Sequence, residues 1–364
     1  MGGVADYAVE LARFCPTAEW IVAQGSIATS EMFPDWTVTD AASKGWAAAL
    51  DRQSECTMLV HYTQYGFSSV GIPWAVVRAL EAWRRGGKRR RLVVFFHETW
   101  LQGPPWKRRG LVSPAARWCA RSLACAADVI VTNCPRHAAQ LAIERDVAVL
   151  PVPANIEPED GGWVAEGGGR RTEGPLRVVV FGLPETRLRT LRAHRGFLTW
   201  LNSRGELKEL MLLGAGAEME RFSIAGARLA AELTGGAVRR VGASEAAGVS
   251  SELARADLGL SAYAADEVGK SGTLAALFTH GCPVGCAGHD AGGLALDLNP
   301  GMDGTPRDWA AWLDSSARAR REARVATYVA DSLDWPAHAM RLAGLVAGRG
   351  TEVGLPRDGG RRPE

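Results

Sequence analysis

No apolar run in the sequence approaches the roughly 20 residues that a bilayer crossing requires. The start, Met-Gly-Gly-Val-Ala-Asp-Tyr, lacks the basic and apolar regions of a secretory signal. Its Met-Gly opening also misses the Ser or Thr of a myristoylation site, because Asp6 stands there. No CxxC pair and no Cys/His cluster at zinc spacing accompanies the seven cysteines, Cys15, Cys56, Cys119, Cys125, Cys134, Cys282 and Cys286. An odd count without paired spacing excludes a disulfide scaffold and fits reduced, mostly buried thiols in a cytosolic protein. A dominant charge is missing too. Lys and Arg number 42 against 40 Asp and Glu, a formal net charge of +2, which argues against a globally basic nucleic-acid binder. No internal repeat of the solenoid kind is present.

What is there is ordinary globular composition, 47% hydrophobic and 23% charged over 364 residues. At roughly 100–200 residues per domain the default is two domains. Two segments alternate short apolar runs with amphipathic helical patterns, the signature of parallel sheets built from βαβ units. In the first, Thr57–Tyr62, Leu92–Phe96, Asp128–Thr132 and Val147–Val152 read as strands, with helices over Val4–Phe14, Pro73–Arg85, Ser113–Ala126 and Pro135–Arg145. In the second, Leu176–Phe181, Glu209–Leu213, Ala237–Val241, Leu258–Ala262 and Pro283–Cys286 read as strands. Its helices are placed near Thr190–Asn202, Ala217–Leu233, Ser244–Arg255, Gly272–His280 and Asp308–Leu333, and a last helix over Pro336–Val346. The expected organisation is a first domain over 1–152, a Pro/Gly-rich linker over 153–174 and a second domain over 175–333. A final helix over 334–347 and a disordered polar tail over 348–364 complete it. Doubly wound sheets bind ligands outside the carboxyl ends of their strands, so a cleft between two such sheets is where the chemistry is expected.

Several features point into that cleft. Gly2 and Gly3 run into a helix whose first amides suit an anion, although a flexible start before a helix reads the same way. His97 and Glu98 follow a strand, where a histidine can orient a hydroxyl or take its proton; a strand-end histidine packing a loop is the plainer reading. The stretch Gly103–Gly110 reads as a mobile aromatic and basic loop. Gly182 leaves a strand and is followed by Arg187, Arg189 and Arg192, a pairing able to approach and neutralise a diphosphate. Gly214 and Gly216 form a second strand-end pair. Asp266, Glu267, Gly269, Lys270, Ser271, Gly272 and Thr273 run from turn to helix start, where backbone amides can hold phosphate with Lys270 as counter-charge. An ordinary N-cap by Ser271 is the competing reading. Gly-Lys-Ser is not a Walker A loop here, because the glycine required five positions before Gly269 is Ala264. The basic run Arg84–Arg91 reads as a solvated loop, with peripheral attachment to an anionic membrane as the second reading.

Taken in order, Gly-Gly-Val-Ala-Asp-Tyr-Ala, Phe-His-Glu, Leu-Pro-Val-Pro-Ala-Asn-Ile, Gly-Ala-Gly and Lys-Ser-Gly-Thr-Leu-Ala-Ala-Leu-Phe-Thr-His-Gly-Cys-Pro-Val resemble a bacterial glycosyltransferase of the GT-B fold, near family 4. The resemblance covers about Gly2 to Val346 and implies an α/β architecture of two Rossmann-like domains facing a cleft. The nucleotide-sugar would bind mainly to the second domain and the acceptor to the first, without metal or other cofactor, and the last helix would cross back to the first domain. By this likeness Gly3 lies near the donor diphosphate and the reacting sugar, and His97 touches that sugar. Gly182 and one of Arg187 or Arg189 stand at the diphosphate, and Gly214 and Gly216 line the nucleotide. The implied activity is a retaining transfer of a sugar from a nucleotide to an acceptor hydroxyl in polysaccharide assembly. The acceptor is a sugar, a lipid-linked molecule or a small molecule, and the location is cytoplasmic or peripheral on the inner face of the membrane.

The chain departs from the family at two places. Members carry two glutamates eight positions apart around the last donor-site turn; Glu267 or Asp266 stands near the first, but the second falls on Ala276. The family also has a strand before the glycine loop, and the expectation is that the first strand of the N-terminal domain is missing and that upstream codons encode it. Two other functions stay open: a non-catalytic GT-B-like partner in glycoconjugate assembly, and a GT-B-fold sugar-nucleotide epimerase.

Overall fold

The computed structural model describes residues 3–14, 20–22, 38–40, 45–51, 56–101, 106–141, 143–159, 174–215, 219–242, 244–287 and 304–348. The expected linker beyond residue 159, the expected tail beyond residue 348, Gly2 and Gly216 lie outside them.

The first sheet is parallel, in the order β3 (Thr57–Tyr62), β4 (Arg91–Phe96), β5 (Val129–Thr132) and β6 (Ala148–Val149). β4 is the run Arg-Leu-Val-Val-Phe-Phe, and every residue from Leu92 to Phe96 is buried, as a strand covered on both faces requires. Alternate residues serve alternate faces. Leu92, Val94 and Phe96 pack with α2 (Trp46–Asp51), α3 (Trp74–Arg85) and α4 (Arg108–Ala126). Val93 and Phe95 pack with Tyr7 and Leu11 of α1 (Gly3–Ala12). Two further strands, β1 (Trp20–Val22) and β2 (Val38–Asp40), pair in parallel as a sheet of their own and are absent from the sequence reading. Among the described residues β3 pairs with β4 alone.

The second sheet runs β11-β10-β7-β8-β9, all parallel, from β7 (Leu176–Phe181), β8 (Leu207–Leu213), β9 (Val238–Val241), β10 (Leu258–Ser261) and β11 (Val284–Cys286). The chain winds outward from β7 to β9, then returns to the other side of β7 as β10. That reversal makes the β7/β10 crevice the topological switch point. One face carries α6 (Pro184–Ala193), α7 (Arg195–Ser203), α8 (Glu220–Thr234) and α11 (Pro306–Leu313), where Trp309 and Trp312 are core residues. The other carries α9 (Ala246–Arg255), α10 (Gly272–Thr279) and α12 (Ser315–Ser332).

Several boundaries differ from the sequence reading for local reasons. The helix expected near Thr190–Asn202 is two helices, broken at His194, whose buried ring lies 2.9 Å from the Ser261 carbonyl and holds the break against β10. The helix expected over Asp308–Leu333 is also two, because the Asp314 carboxylate accepts from the Ser316 and Ala317 amides and caps a new start. Helix α4 begins at Arg108 rather than Ser113, so the stretch expected as a loop ends as helix. The opening of the expected linker is packed rather than extended. Ala154 is 2% exposed in the second core, the Val152 amide donates to the Gly269 carbonyl, and the Trp335 indole donates to the Ala154 carbonyl. Small apolar residues open a segment whose average composition is dominated by its later glycines. Helix α13 (Trp335–Ala347) carries Trp335, Ala339 and Leu342 onto Tyr7 and Phe95 of the first domain.

Candidate functional site

Next to the switch point, at the ends of β7 and β8, two turns touch. Gly182, after β7, has φ +138°, and Gly214, after β8, has φ +122°. A Cβ on Gly214 would stand 2.7 Å from the Gly182 carbonyl oxygen, so glycine is required both by conformation and by the approach of two backbones. Arg187, on α6, is 8% exposed and donates from Nη1 to the Gly214 carbonyl at 2.6 Å. Burial, and then the charge of Arg240, lower its pKa from the ordinary value. Among the described residues no carboxylate pairs with Arg187, and a buried guanidinium without a counter-charge fits a place where an anion binds. Arg189 is exposed and lies over the Tyr263 ring at 5.3 Å.

The turn after β10 sits on the other side of the switch point. Lys270 also lies over Tyr263, at 4.9 Å, so the ring joins the two cations. Glu267 accepts from Lys270 Nζ at 2.5 Å and is ion-paired with Arg136, whose Nη1 lies 3.2 Å away and which comes from α5 (Pro135–Leu141) of the first domain. Burial alone would raise the Glu267 carboxyl, but the Lys270 ammonium and Arg136 guanidinium outweigh it and hold it below the usual carboxylate range. A Cβ on Gly269 would clash with the Asn133 carbonyl oxygen, so the two domains abut here without room for a side chain. Ser271 caps α10, its hydroxyl accepting from the Leu274 amide and lying 3.0 Å from the Thr273 hydroxyl, while Gly272 packs on Asn155. Ala276 is fully buried in the second core.

On the first domain, His97 follows β4 and is 5% exposed. Its ring stacks on Phe95 at 4.3 Å, meets Tyr7 edge-on at 4.7 Å, and shares one proton with His61 across a 3.0 Å Nε2–Nδ1 contact. Asn133, at the end of β5, donates to the His97 carbonyl and lies 3.1 Å from His137 Nδ1. The Tyr7 hydroxyl lies 2.6 Å from His338 Nε2, on α13. Burial pushes His61 and His137 down to about 4 and His338 down to about 3. Burial, then the three neighbouring imidazoles, holds His97 well below its ordinary value. The group is therefore neutral at pH 7.

Of the expected residues, the structure brings Gly182, Arg187 and Gly214 together, joins Arg189 to Lys270 through Tyr263, and sets Glu267, Lys270, Ser271, Gly272 and Thr273 in one turn against the first domain. Gly3 opens α1 one helical turn before Tyr7, which touches His97. His97 and Glu98 diverge: His97 is buried and Glu98 exposed. Sequence reading missed Tyr7, His61, Asn133, Arg136, Tyr263 and His338. Asn133 was available to the strand-end rule that selected His97, and His61 stands one residue before the end of a neighbouring strand; His338 had no local signal. Among the described residues no group of His, Cys, Asp and Glu gathers to hold a metal ion.

No family model matches this sequence, and no curated protein matches it. Its three-dimensional likenesses are extensive at low identity. The crystal structure of Anabaena HepE in complex with UDP and glucose is 13% identical, with 95% of this chain and 96% of that one covered at a TM-score of 0.63. An α,α-trehalose-phosphate synthase (UDP-forming) from Burkholderia vietnamiensis is 12% identical, covering 94% and 85% at 0.57. A sucrose-phosphate synthase from Thermosynechococcus elongatus is 15% identical, covering 89% and 80% at 0.56. With its four- and five-stranded parallel sheets and its returning last helix, the chain has the GT-B fold of two Rossmann-like domains.

Proposed function

We propose that the protein is a glycosyltransferase that moves a sugar from a nucleotide donor to an acceptor hydroxyl with retention at the anomeric carbon. The observation that carries this reading is Arg187, a buried cation that pairs with no carboxylate among the described residues, set by two touching glycine turns next to the switch point of a GT-B fold. Gly182 and Gly214 leave backbone open to the nucleotide and diphosphate; Gly216 and Gly2 enter by the sequence resemblance alone. Arg189, Lys270 and the amides of Gly272 and Thr273 neutralise the diphosphate as the bond from the anomeric carbon to the phosphate oxygen breaks. Those cations do without a metal. Glu267 exchanges its present partners for the donor sugar, Ser271 holds the helix start in place, and Gly3 lets α1 approach. His97, held neutral, offers the sugar a hydrogen bond rather than a charge, and Glu98 faces the acceptor side. Since HepE was crystallised with UDP and with UDP-glucose, a uridine donor is tried first.

The protein is placed in the cytoplasm, acting in polysaccharide or other glycoconjugate assembly on a sugar, lipid-linked or small-molecule acceptor. The domains divide at 1–152 and 175–333, with the second holding the donor. Calorimetric titration with UDP, GDP and ADP sugars tests the reading, with Arg189→Ala and Lys270→Ala alongside. Binding of one nucleotide, weakened about tenfold or more by each variant, supports it; no binding of any nucleotide defeats it. One observation favours a second reading, a non-catalytic binding partner: Ala276 stands fully buried where family members carry a glutamate. Slow release of nucleotide diphosphate without acceptor marks an enzyme, and donor binding without release marks the partner.

A further inference from the structure

Helices α3 and α4 cover the face of the first sheet opposite α1 and α13, and their outer surface is unusual. Trp74 and Trp118 stack with ring centroids 4.3 Å apart while 50% and 42% exposed, and the Arg78 guanidinium lies 5.4 Å over Trp74. Along α4 and its cap, Lys107, Leu111, Pro114 and Trp118 fall at the spacing of one helical stripe, and all four are exposed. Leu111 is 70% exposed and Trp106, just before the helix, 79%. The stretch Trp106–Ala126 holds five Lys and Arg and no Asp or Glu. The acid of α3, Glu81, is 5% exposed and already bonded to Arg78 at 3.3 Å and to the Ser122 hydroxyl.

We infer that this surface docks the protein reversibly on an anionic lipid bilayer. Tryptophan, with an apolar body and one polar N–H, suits the headgroup boundary. Projecting Leu111 and Trp106 can enter the acyl edge, and each nearby Lys or Arg adds about 1 kcal/mol of attraction to an anionic leaflet. The charge argues for this occupant. A second copy docked isologously would set the acid-free segment Trp106–Ala126, with its five Lys and Arg, against itself. Trp106 and Leu111 stand out from the surface at 79% and 70% exposure, and lipid conforms to such tips. No described helix is long and apolar enough to cross a membrane, so the contact is peripheral. The basic run Arg84–Arg91 is a weaker candidate, because Arg84 is paired bidentately with Asp128, Arg90 donates to the Trp83 carbonyl and Arg91 to the Leu345 carbonyl.

The test is flotation of the full chain with vesicles of phosphatidylcholine alone or doped with phosphatidylglycerol, at low and high salt. Binding is expected to the doped vesicles, weakened by salt. The double variant Trp106→Ser/Leu111→Ser loses about tenfold or more in partition, and Lys107→Glu, on an exposed cap residue, weakens binding separately should the double variant misfold. Absence of flotation, equal flotation with phosphatidylcholine alone, or wild-type binding by both folded variants overturns the inference. Self-association or capture of an acidic protein without vesicle binding, lost in the double variant, overturns it too. Nucleotide titration of the same samples stays unchanged, which separates this inference from the donor reading.

Discussion

Arg136 on the first domain and Glu267 on the second stand 3.2 Å apart, and the same carboxylate is held by Lys270 at 2.5 Å. In the proposed donor site Glu267 thus occupies both a domain-bridging cation and a cation meant for phosphate. A diphosphate must draw Lys270 away from it. Glu267→Gln removes that competition, so UDP alone should bind several-fold tighter while UDP-sugar gains less or loses affinity. Calorimetry with the two ligands measures the difference, and weaker UDP binding by the variant would count against a phosphate role for Lys270.

Arg187→Met keeps the length of the side chain but removes the charge and the donor to the Gly214 carbonyl. Leaving that carbonyl unpaired costs about 1–3 kcal/mol, and nucleotide binding should disappear. Chemical denaturation reports the first effect and titration the second. A variant that is destabilised yet binds the nucleotide normally would reduce Arg187 to a structural pin.

Gly214→Ala tests the contact of the two strand-end turns. The added Cβ meets the Gly182 carbonyl at 2.7 Å, in a backbone conformation that side chains rarely adopt. A loss of about 1–3 kcal/mol and weakened nucleotide binding are expected. Gly205→Ala is the control: its φ is also positive, at +66°, but nothing stands within 4 Å of an added Cβ. Equal effects at the two positions would mean that only conformation, and not the approach of Gly182, matters at Gly214.

These residues also mark how far the sequence could be read. The run Leu92–Phe96 was legible because burial on both faces writes an unbroken apolar stretch, and Val178–Val180 is a shorter one. Gly182 and Gly214 were legible because a strand end and a glycine are both local. Trp20–Val22 and Val38–Asp40 were not, since three residues make no periodic pattern. Arg136, Tyr263 and His338 were invisible for a different reason. Each acquires its role from a partner far away in sequence, as Tyr7 and His338 are 331 positions apart. The break at His194 likewise depends on the Ser261 carbonyl, 67 positions on.

The histidine group under α13 gives the stability a pH dependence whose direction is fixed. His338 is 1% exposed and pushed down to about 3, against an ordinary value of 6.5. Between those values the unfolded chain takes up a proton that the folded chain refuses, so stability rises with pH through the window and falls as pH drops from 6.5 toward 3. Each pH unit is worth about 1.4 kcal/mol for such a group. His61 and His137, both held near 4, add to the same slope. Protonation also sets like charges against one another, because His97 lies 3.0 Å from His61. Replacing His338 by Gln keeps a partner for the Tyr7 hydroxyl but removes the titrating ring. Urea unfolding at pH 7 and pH 5 should then show a stability difference smaller than that of wild type by about 2 kcal/mol. The variant is the less stable protein at pH 7, where the imidazole packs best, and the gap narrows in acid. An unchanged slope would place the acid sensitivity of the chain elsewhere than in this cluster.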